Sequence, residues 1–331
     1  MTAPRVGIVV TDAYPAEDPD HDTPLLVAAL TERGVDASAV VWHDRGVDWA
    51  GFDLLVLRSP WDYPERMAEL EAWLDEVERA TTLHNPADLV RWNLDKGYLA
   101  RLAELGVATV PTAYCADVGE ARAAFGALGA LGARDDVGVV VKPAVSAGAR
   151  DTGLFRGSDP GALALAERIL AAGNVVMVQP EVPELSAGLE RAVYLVDGEV
   201  THAIAKGALL APGGGFIGGV YTEHPQRVEP TTAQAAFARD ALAAVQAATA
   251  CDIPLYARID LVDSAEHGIV LLEAELFEPA LNLHVVPEVT AVVADAVVRR
   301  LRPPGRPAPD VHPRAGATVR GTAGGAGESS P

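Results

Sequence analysis

The sequence predicts an α/β protein of several packed layers, and three observations support this prediction. The chain has 331 residues, enough for about two or three domains of ordinary size. Hydrophobic residues make up 49% of the chain and charged residues 22%, as in globular proteins with a large buried core. From the N-terminus onward, short aliphatic and β-branched runs alternate with amphipathic helical stretches, which predicts strands and helices packed as layers.

The first quarter of the chain has the alternation typical of a parallel α/β domain. Strand-like runs lie at residues 6–10, 39–42 and 54–57, and an amphipathic stretch lies at 24–33. We therefore predict an N-terminal parallel α/β domain over residues 1–84.

Two helices are predicted next. Asn85 followed by Pro86 is typical of a helix start, and Asn93 precedes a second helical run that ends near Gly106. Lys96 is therefore expected in the first turn of the second helix.

Strands and helices then alternate up to residues 180–188, whose prolines and acids are typical of a connecting segment or hinge. Small residues at 146–153 predict a loop. The central domain is predicted over residues 85–184. Its other predicted elements are strands at 107–115, 137–141 and 175–179, and helices at 118–131 and 160–172.

The last third of the chain predicts an α+β domain over residues 185–301. Asp197-Gly198 between two apolar runs is a strong β-hairpin signal, and the glycine-rich segment 213–219 predicts a mobile loop. Residues 302–331 contain six glycines and six prolines, which predicts a disordered tail. The remaining predicted elements are helices at 231–250 and 289–301 and paired strands at 256–262 and 269–276.

The charge balance excludes several classes of partner. Forty-six acidic and 26 basic residues give a net charge of −20, which disfavours binding to nucleic acid or to an anionic membrane. No apolar stretch reaches the roughly 18 to 20 residues of a membrane span. Two cysteines, Cys115 and Cys251, are too few for a disulfide framework, so we expect a cytoplasmic protein.

Lysine is scarce in this chain, because only three of the 26 basic residues are lysines: Lys96, Lys142 and Lys206. A position that keeps lysine among so many arginines can require a compact ammonium group, as phosphate binding often does. The alternative is that lysine occurs at these three positions by chance.

Three acidic residues are expected to share one face of the C-terminal sheet. Glu273 and Glu275 are two residues apart, so they point to the same side of a strand, and Asp260 lies on the neighbouring strand. Oxygen ligands of this kind suit Mg²⁺. A solvated outer strand face is the alternative, but the apolar neighbours Leu272 and Leu276 make it less favourable.

In this order and spacing, the motifs resemble those of the ATP-grasp superfamily. The chain looks most similar to the branch containing the O-ureido-serine cyclo-ligase of cycloserine biosynthesis, and more distantly to glutathione synthetases and ribosomal-protein glutamate ligases. The resemblance covers about residues 5–300 and implies an ATP-grasp fold with a central lid domain. The resemblance rests on the following segments: Asn85-Pro86, Trp92 to Lys96, Val141 to Pro143, Ser146 to Arg150, Val178 to Glu181, Thr201 to Ala203, Lys206, Tyr256 to Asp260, Leu272 to Pro279 and Arg58 to Tyr63.

The resemblance also implies roles for individual residues. The three lysines would contact the ATP phosphates, the backbone around Gln179, Glu181 and Val182 would bind adenine, and Glu184 would contact ribose. Ser146 and Gly148 would lie in the loop over the phosphates. The remaining implied roles are Mg²⁺ binding by Asp260, Glu273 and Glu275, and a contact to the substrate carboxylate or acyl phosphate by Arg258.

The chain departs from this family pattern at two positions. Glu275 stands where many relatives have asparagine, which keeps an oxygen ligand and adds a charge. Ile217 stands where relatives often have arginine, which removes one expected contact to phosphate or substrate.

Substrate contacts are also expected at the end of an N-terminal strand, where ligands of α/β domains gather. Arg58 could pair with a carboxylate and Asp62 with an amine, with Trp61 and Tyr63 beside them. The alternative for the two aromatic residues is packing at a domain interface.

Together these features predict an ATP- and Mg²⁺-dependent ligase that forms C–N bonds through an acyl phosphate on small carboxylate and amine substrates. Ring closure within one molecule is a subcase. An ATP-dependent phosphotransferase and a non-catalytic ATP-binding regulator are the alternatives. The oligomeric state is open, and a homodimer is compatible with the sequence.

Overall fold

The computed structural model describes residues 2–14, 19–129, 138–156, 159–217 and 224–301. The strands among them are β1 (Arg5–Val10), β2 (Asp36–Val41), β3 (Leu54–Ser59), β4 (Leu83–His84), β5 (Ala113–Cys115), β6 (Gly138–Pro143), β7 (Gly153–Arg156), β8 (Val176–Pro180), β9 (Arg191–Val196), β10 (Glu199–Ala205), β11 (Gln226–Val228), β12 (Tyr256–Ser264) and β13 (Gly268–Glu275). The helices are α1 (Asp22–Glu32), α2 (Met67–Ala80), α3 (Ala87–Asn93), α4 (Tyr98–Glu104), α5 (Val118–Ala127), α6 (Pro160–Ala171), α7 (Pro183–Ser186), α8 (Thr232–Thr249) and α9 (Pro287–Arg300).

The first sheet is parallel, as the alternating pattern predicts, with strand order β2-β1-β3-β4. Its central strands are buried because they carry continuous aliphatic runs, for example Val6 to Val10. Strand β2 lies on one side of β1 and β3 lies on the other, so the order of the strands reverses at β1. Ligands of α/β sheets bind outside the carboxyl ends of strands at such a reversal point.

The second sheet is antiparallel, with order β5-β8-β6-β7. Helices α5 and α6 bury Phe125, Leu165 and Ile169 in one core with the strands. Strand β6 extends two residues beyond its predicted end and therefore contains Lys142. Strand β7 has no counterpart among the sequence predictions.

The third sheet is also antiparallel, with order β11-β10-β9-β12-β13. The predicted hairpin is confirmed as β9 and β10, joined at Asp197-Gly198, both of which have positive φ. Helix α8 begins with a capping box in which the side chains of Thr231 and Gln234 each bond the other's backbone N–H. Each sheet draws its strands from one of the three predicted domain ranges, while the domain boundaries themselves stay a prediction.

The prediction for Asn85, Asn93 and Lys96 is wrong in its details. Asn85 is buried and its side chain accepts a hydrogen bond from the Leu255 N–H, so it does not cap a helix. Asn93 ends α3, because its amide donates to the Ala274 carbonyl of β13 at 2.8 Å. Lys96 therefore lies in the connection before α4 rather than in a helical turn. In each case a contact with the third sheet overrides the local helix signal.

Several predictions fall wholly or partly outside the described residues. These are the disordered tail at 302–331, the end of the glycine-rich loop at 218–219, and the ends of the helix at 118–131 and the strand at 137–141. Helix α5 is described as far as Ala127, and the part of the loop from 213 to 217 is irregular, as expected. Among the helices that are described, none is both long and apolar enough to cross a membrane.

Candidate active site

A cavity of about 590 Å³ is lined by residues of the second and third sheets and of the segments that follow β1 and β3. That volume lies within the range of small-molecule and cofactor sites. Most of the residues proposed from the sequence line it, including the three lysines, Arg258 and the three carboxylates of the third sheet.

Strands β12 and β13 bring the acidic residues and Arg258 together. Asp260 lies opposite Glu273 in the register, and Arg258 lies opposite Glu275. The Arg258 guanidinium forms a bidentate ion pair with Asp260, in which both N···O distances are 2.8 Å. It also donates a hydrogen bond to Glu275. Arg258 and Asp260 are buried, so this charge network is largely removed from water.

Burial and neighbouring charges shift the pKa values of this network in opposite directions. Burial opposes ionisation of Asp260, but Arg258 and Lys206 outweigh it and hold the pKa of Asp260 below its usual value. At Glu275 burial dominates over the attraction of Arg258, so its pKa rises to about 8. Within this network a proton is therefore held more tightly at Glu275 than at Asp260.

The three lysines face the carboxylates across the cavity. Lys96 Nζ lies 3.0 Å from Glu273 and donates to the Ser146 carbonyl at 2.7 Å. Lys206 Nζ lies 3.2 Å from Asp260 and 3.3 Å from Glu190. Lys142 makes no hydrogen bond or ion pair with any residue that the structure describes.

The pKa values of two lysines reflect this difference. Burial lowers the pKa of Lys142 below its usual value, although Glu273 partly opposes the shift. Burial also acts on Lys96, but the adjacent Glu273 outweighs it and raises the pKa of Lys96. Lys142 thus has no acidic side chain within ion-pair distance among the described residues.

Apolar side chains line the opposite part of the cavity, beside the segment after β8. Val182 is buried in a small cluster with Val110, which lies between α4 and β5, and with Val262 of β12 and Val270 of β13. A register shift between Asp260 and Leu261 makes Leu272 an extra residue in β13, and Leu272 lines the cavity beside Glu273. Because of this bulge, the consecutive residues Leu272 and Glu273 both line the cavity.

The polar side chains near this apolar part already have partners. The Gln179 amide donates to the Thr112 hydroxyl at 2.8 Å, and Glu181 pairs with Arg156 at 2.9 Å. Ser146 and Gly148 lie in the loop after β6, where Gly148 has a φ of 60°.

Comparison with known proteins places this site in a family. The family model described as the N-terminal domain of D-cycloserine synthetase DcsG matches residues 6–85. The cycloserine biosynthesis protein DcsG of Streptomyces lavendulae is 38% identical over 299 residues, which cover 89% of this chain and 98% of that protein. The chain belongs to the DcsG family.

Solved structures agree with this membership of the DcsG family. The crystal structure of D-cycloserine synthetase DcsG has a TM-score of 0.81 and 34% sequence identity, and the match covers 90% of this chain and 100% of that one. D-alanyl-alanine synthetase A from Vibrio cholerae has a TM-score of 0.62 at 15% identity, with coverage of 91% and 98%, and this likeness shows the fold alone. The ATP-grasp fold is therefore confirmed, and the DcsG-family chain is an ATP-dependent C–N ligase.

Four of the predicted site residues do not line the cavity of this DcsG-family protein: Arg58, Asp62, Tyr63 and Glu184. Arg58 is fully buried, 3.2 Å from Asp22 and 5.2 Å from the centre of the Tyr256 ring. In this arrangement its guanidinium group contacts Asp22, and its contact with a substrate carboxylate stays a prediction. Trp61, at the same strand end, does line the cavity.

The other three residues have structural partners as well. Asp62 accepts a hydrogen bond from the Trp42 indole at 2.8 Å, so it is not available to a substrate amine. Tyr63 is buried against Phe277 at a ring distance of 5.4 Å. Glu184 accepts a hydrogen bond from the Ala265 N–H at 2.9 Å and connects α7 to the turn between β12 and β13.

The sequence analysis missed several residues that line this cavity in the DcsG-family chain: Asp20, His21, Asp22, Glu278 and His284. Asp22 accepts three backbone N–H groups from Leu281 to Leu283, at 2.5 to 3.2 Å, and so fixes that segment. The sequence could have indicated Glu278, because it is the third acidic residue in the mostly apolar segment that contains Glu273 and Glu275. The other residues join the cavity only through tertiary folding.

Phe216 lines the cavity, whereas Ile217 is 55% exposed. The position at which relatives often carry arginine is thus directed towards solvent in this chain. Within the described ranges, no group of three histidine, cysteine or carboxylate side chains is arranged to hold a metal ion by itself.

Proposed function

We propose that this protein uses ATP and Mg²⁺ to close a ring within an O-substituted serine, forming cycloserine through an acyl phosphate. The observation that carries the proposal is one cavity in which three lysines and three carboxylates face each other beside an apolar slot. The printed names of the relatives, a cycloserine biosynthesis protein and a D-cycloserine synthetase, support this product.

ATP fits the cavity as a substrate in one orientation. Adenine is apolar on its faces, so it would lie between Val110, Val182 and Leu272, next to the backbone around Gln179 and Glu181. The triphosphate would then reach the lysines. Lys142 is well suited to phosphate, because it lacks a counter-charge among the described residues and an incoming anion would supply one.

The donor set also fits Mg²⁺. Asp260, Glu273 and Glu275 offer oxygen atoms on one sheet face, and Mg²⁺ is usually bound by one or two carboxylates together with phosphate oxygens and water. A protein cage of three ligands is therefore not required. Bound there, the ion would neutralise charge on the ATP phosphates.

The chemistry then needs positioning rather than a protein nucleophile. An oxygen of the substrate carboxylate attacks the γ-phosphorus of ATP, ADP leaves, and the carboxyl group becomes an acyl phosphate. The nitrogen bonded to the side-chain oxygen of the same molecule attacks the activated carbon, the C–N bond forms, and phosphate leaves with the nitrogen's proton passing to solvent. In O-ureido-serine this nitrogen also carries a carbamoyl group, which water removes as carbon dioxide and ammonia to give cycloserine. Arg258 would hold the carboxylate, and Lys142 and Lys206 would hold the phosphoryl group as it moves.

Product analysis tests this proposal. The protein is incubated with ATP, Mg²⁺ and each enantiomer of O-ureido-serine, and ADP, phosphate and the organic product are quantified. We expect equal amounts of ADP and phosphate together with cycloserine, and strongly reduced turnover in Glu273→Gln. A phosphorylated product formed with ADP and without free phosphate would instead indicate a phosphotransferase, and absence of ADP would contradict catalysis on this substrate.

A further inference from the structure

Glu278 is a buried carboxylate that lines the cavity and has no role in the function proposed above. It follows β13 by three residues and is 9% exposed. Its backbone carbonyl accepts a hydrogen bond from the Trp61 indole at 2.9 Å. Among the described residues, its carboxyl group makes no hydrogen bond. Glu278 therefore lies where the acidic face of the third sheet meets Trp61 in the segment after β3.

Most other carboxylates of the cavity are neutralised by a cation of the chain. Asp260, Glu273 and Glu275 pair with Arg258 or lysines, as described above. Asp22 pairs with Arg58, Glu181 with Arg156 and Glu190 with Lys206. The cations near Glu278 are thus already committed. Among the described residues, no lysine or arginine lies within the 4.0 Å of an ion pair with Glu278.

Asp20 also lacks a cation at that distance, but its oxygen atoms are occupied. One oxygen accepts the N–H groups of Asp22 and Thr23 at 2.9 and 3.0 Å. The other accepts the hydroxyls of Thr23 and Ser59, both at 2.6 Å. A carboxylate can accept about four hydrogen bonds, so Asp20 is saturated, whereas the Glu278 carboxyl group accepts none from the described residues.

We propose that Glu278 binds the α-ammonium group of the amino-acid substrate and thereby selects substrates with a free α-amine. A buried carboxylate without a cation is unfavourable, and a cationic group delivered by the ligand supplies the missing charge. The inference rests on the proposed function only in assuming an amino-acid substrate.

The surroundings of Glu278 agree with such a role. Burial is the main cause that raises the pKa of Glu278 to about 7, and Glu273 adds to it, while Tyr63, Lys96 and Arg258 oppose it. A substrate cation would relieve this penalty. Trp61 acts as a positioning residue, because its indole N–H bonds the backbone carbonyl of Glu278.

The site is tested by binding, which does not depend on turnover. Calorimetry measures the affinities of O-ureido-serine and its N-acetyl derivative, with Mg²⁺ and a non-hydrolysable ATP analogue present. The wild-type protein should prefer the free amine by about 10- to 100-fold, as expected for a hydrogen bond between charged groups. Glu278→Gln should reduce this preference to less than about threefold. Its melting temperature and its affinity for the ATP analogue serve as folding controls.

Two further variants sharpen the result. Glu199→Gln changes a largely exposed glutamate outside the cavity and should keep the wild-type preference. Glu278→Met replaces the carboxylate by an apolar side chain of similar length and should also reduce the preference to less than about threefold, which keeps the proposal testable if Glu278→Gln does not fold.

The possible outcomes separate this inference from the proposed function. Retention of the wild-type preference in Glu278→Gln, or in Glu278→Met where the first variant does not fold, would overturn the inference. A wild-type protein that binds both compounds equally, or neither, would also overturn it. Loss of preference in the variant together with absent ring closure in the wild type would support the ammonium site and reject the proposed reaction.

Discussion

Lys142 offers a perturbation with opposite expected effects on ligand binding and on folding. Its side chain is partly buried and makes no hydrogen bond or ion pair with the described residues. Replacement by methionine keeps the apolar stem and removes the charge. In our account the main favourable interaction lost is the one with the ATP phosphates, because the attraction of Glu273 is outweighed by burial in the free protein.

The expected magnitudes follow from these contacts. A hydrogen bond to a charged group contributes about 1.5–3 kcal/mol, so Lys142→Met should weaken ATP binding by about 10- to 150-fold. A lysine whose pKa is lowered on folding reduces stability while it is protonated, because the unfolded chain binds that proton more tightly. Removal of the charge should therefore leave the melting temperature unchanged or raise it.

Lys96→Met is the matched control, since Lys96 is buried and also faces Glu273. It loses the Glu273 ion pair at 3.0 Å and the bond to the Ser146 carbonyl at 2.7 Å. Breaking a buried ion pair costs about 3–5 kcal/mol, and the partial exposure of Glu273 reduces this to about 1–3 kcal/mol. Lys96→Met should therefore lower both the melting temperature and the affinity.

Titration calorimetry with ATP and scanning calorimetry of the free proteins provide the two readouts. Unchanged ATP affinity in Lys142→Met would refute the assignment of the phosphate site. A melting temperature that falls as far in Lys142→Met as in Lys96→Met would refute the contrast between a partnered and an unpartnered lysine.

Three further predictions concern folding and the assignments corrected above. Burial lowers the pKa of His202 to about 4, so as the pH falls below about 6.5 the unfolded state binds a proton before the folded state does. The free energy of unfolding should therefore decrease by up to about 3 kcal/mol towards pH 4. His202→Phe should flatten this pH dependence in denaturant titrations, and an unchanged slope would exclude His202 as its source. Glu184→Gln should keep wild-type ATP affinity in calorimetry, because Glu184 lies outside the cavity, whereas a clear loss of affinity would restore its predicted ribose contact. A chain that ends at Leu301 should keep its melting temperature and turnover, because residues 302–331 are poor in apolar residues, and a large drop in either would contradict this.

Much of the acidic face could be predicted, because strand periodicity determines which side chains share a side. Glu273 and Glu275 are two residues apart, and the register indeed places Asp260 opposite Glu273. Alternation does not reveal the bulge at Leu272, which depends on how β12 and β13 pair.

The N-terminal contribution was harder to predict, because a strand end gives the location of a site but not the direction of each side chain. Arg58 and Asp62 are typical ligand-binding residues, yet Asp22 and Trp42 from other elements bind them inside the protein. Glu278 shows the reverse case, since only the folded structure reveals that it lacks a cation partner. Pairing between distant residues is decided by tertiary contacts.

The central claim is that the substrate carboxylate is activated as an acyl phosphate. The most direct measurement uses O-ureido-serine labelled with ¹⁸O in both carboxylate oxygens, with mass analysis of the phosphate released during turnover. Our account predicts one ¹⁸O atom in each phosphate, because the oxygen that attacks the γ-phosphorus leaves with it when the C–N bond forms. Turnover that releases only unlabelled phosphate would contradict activation of the carboxylate by phosphorylation.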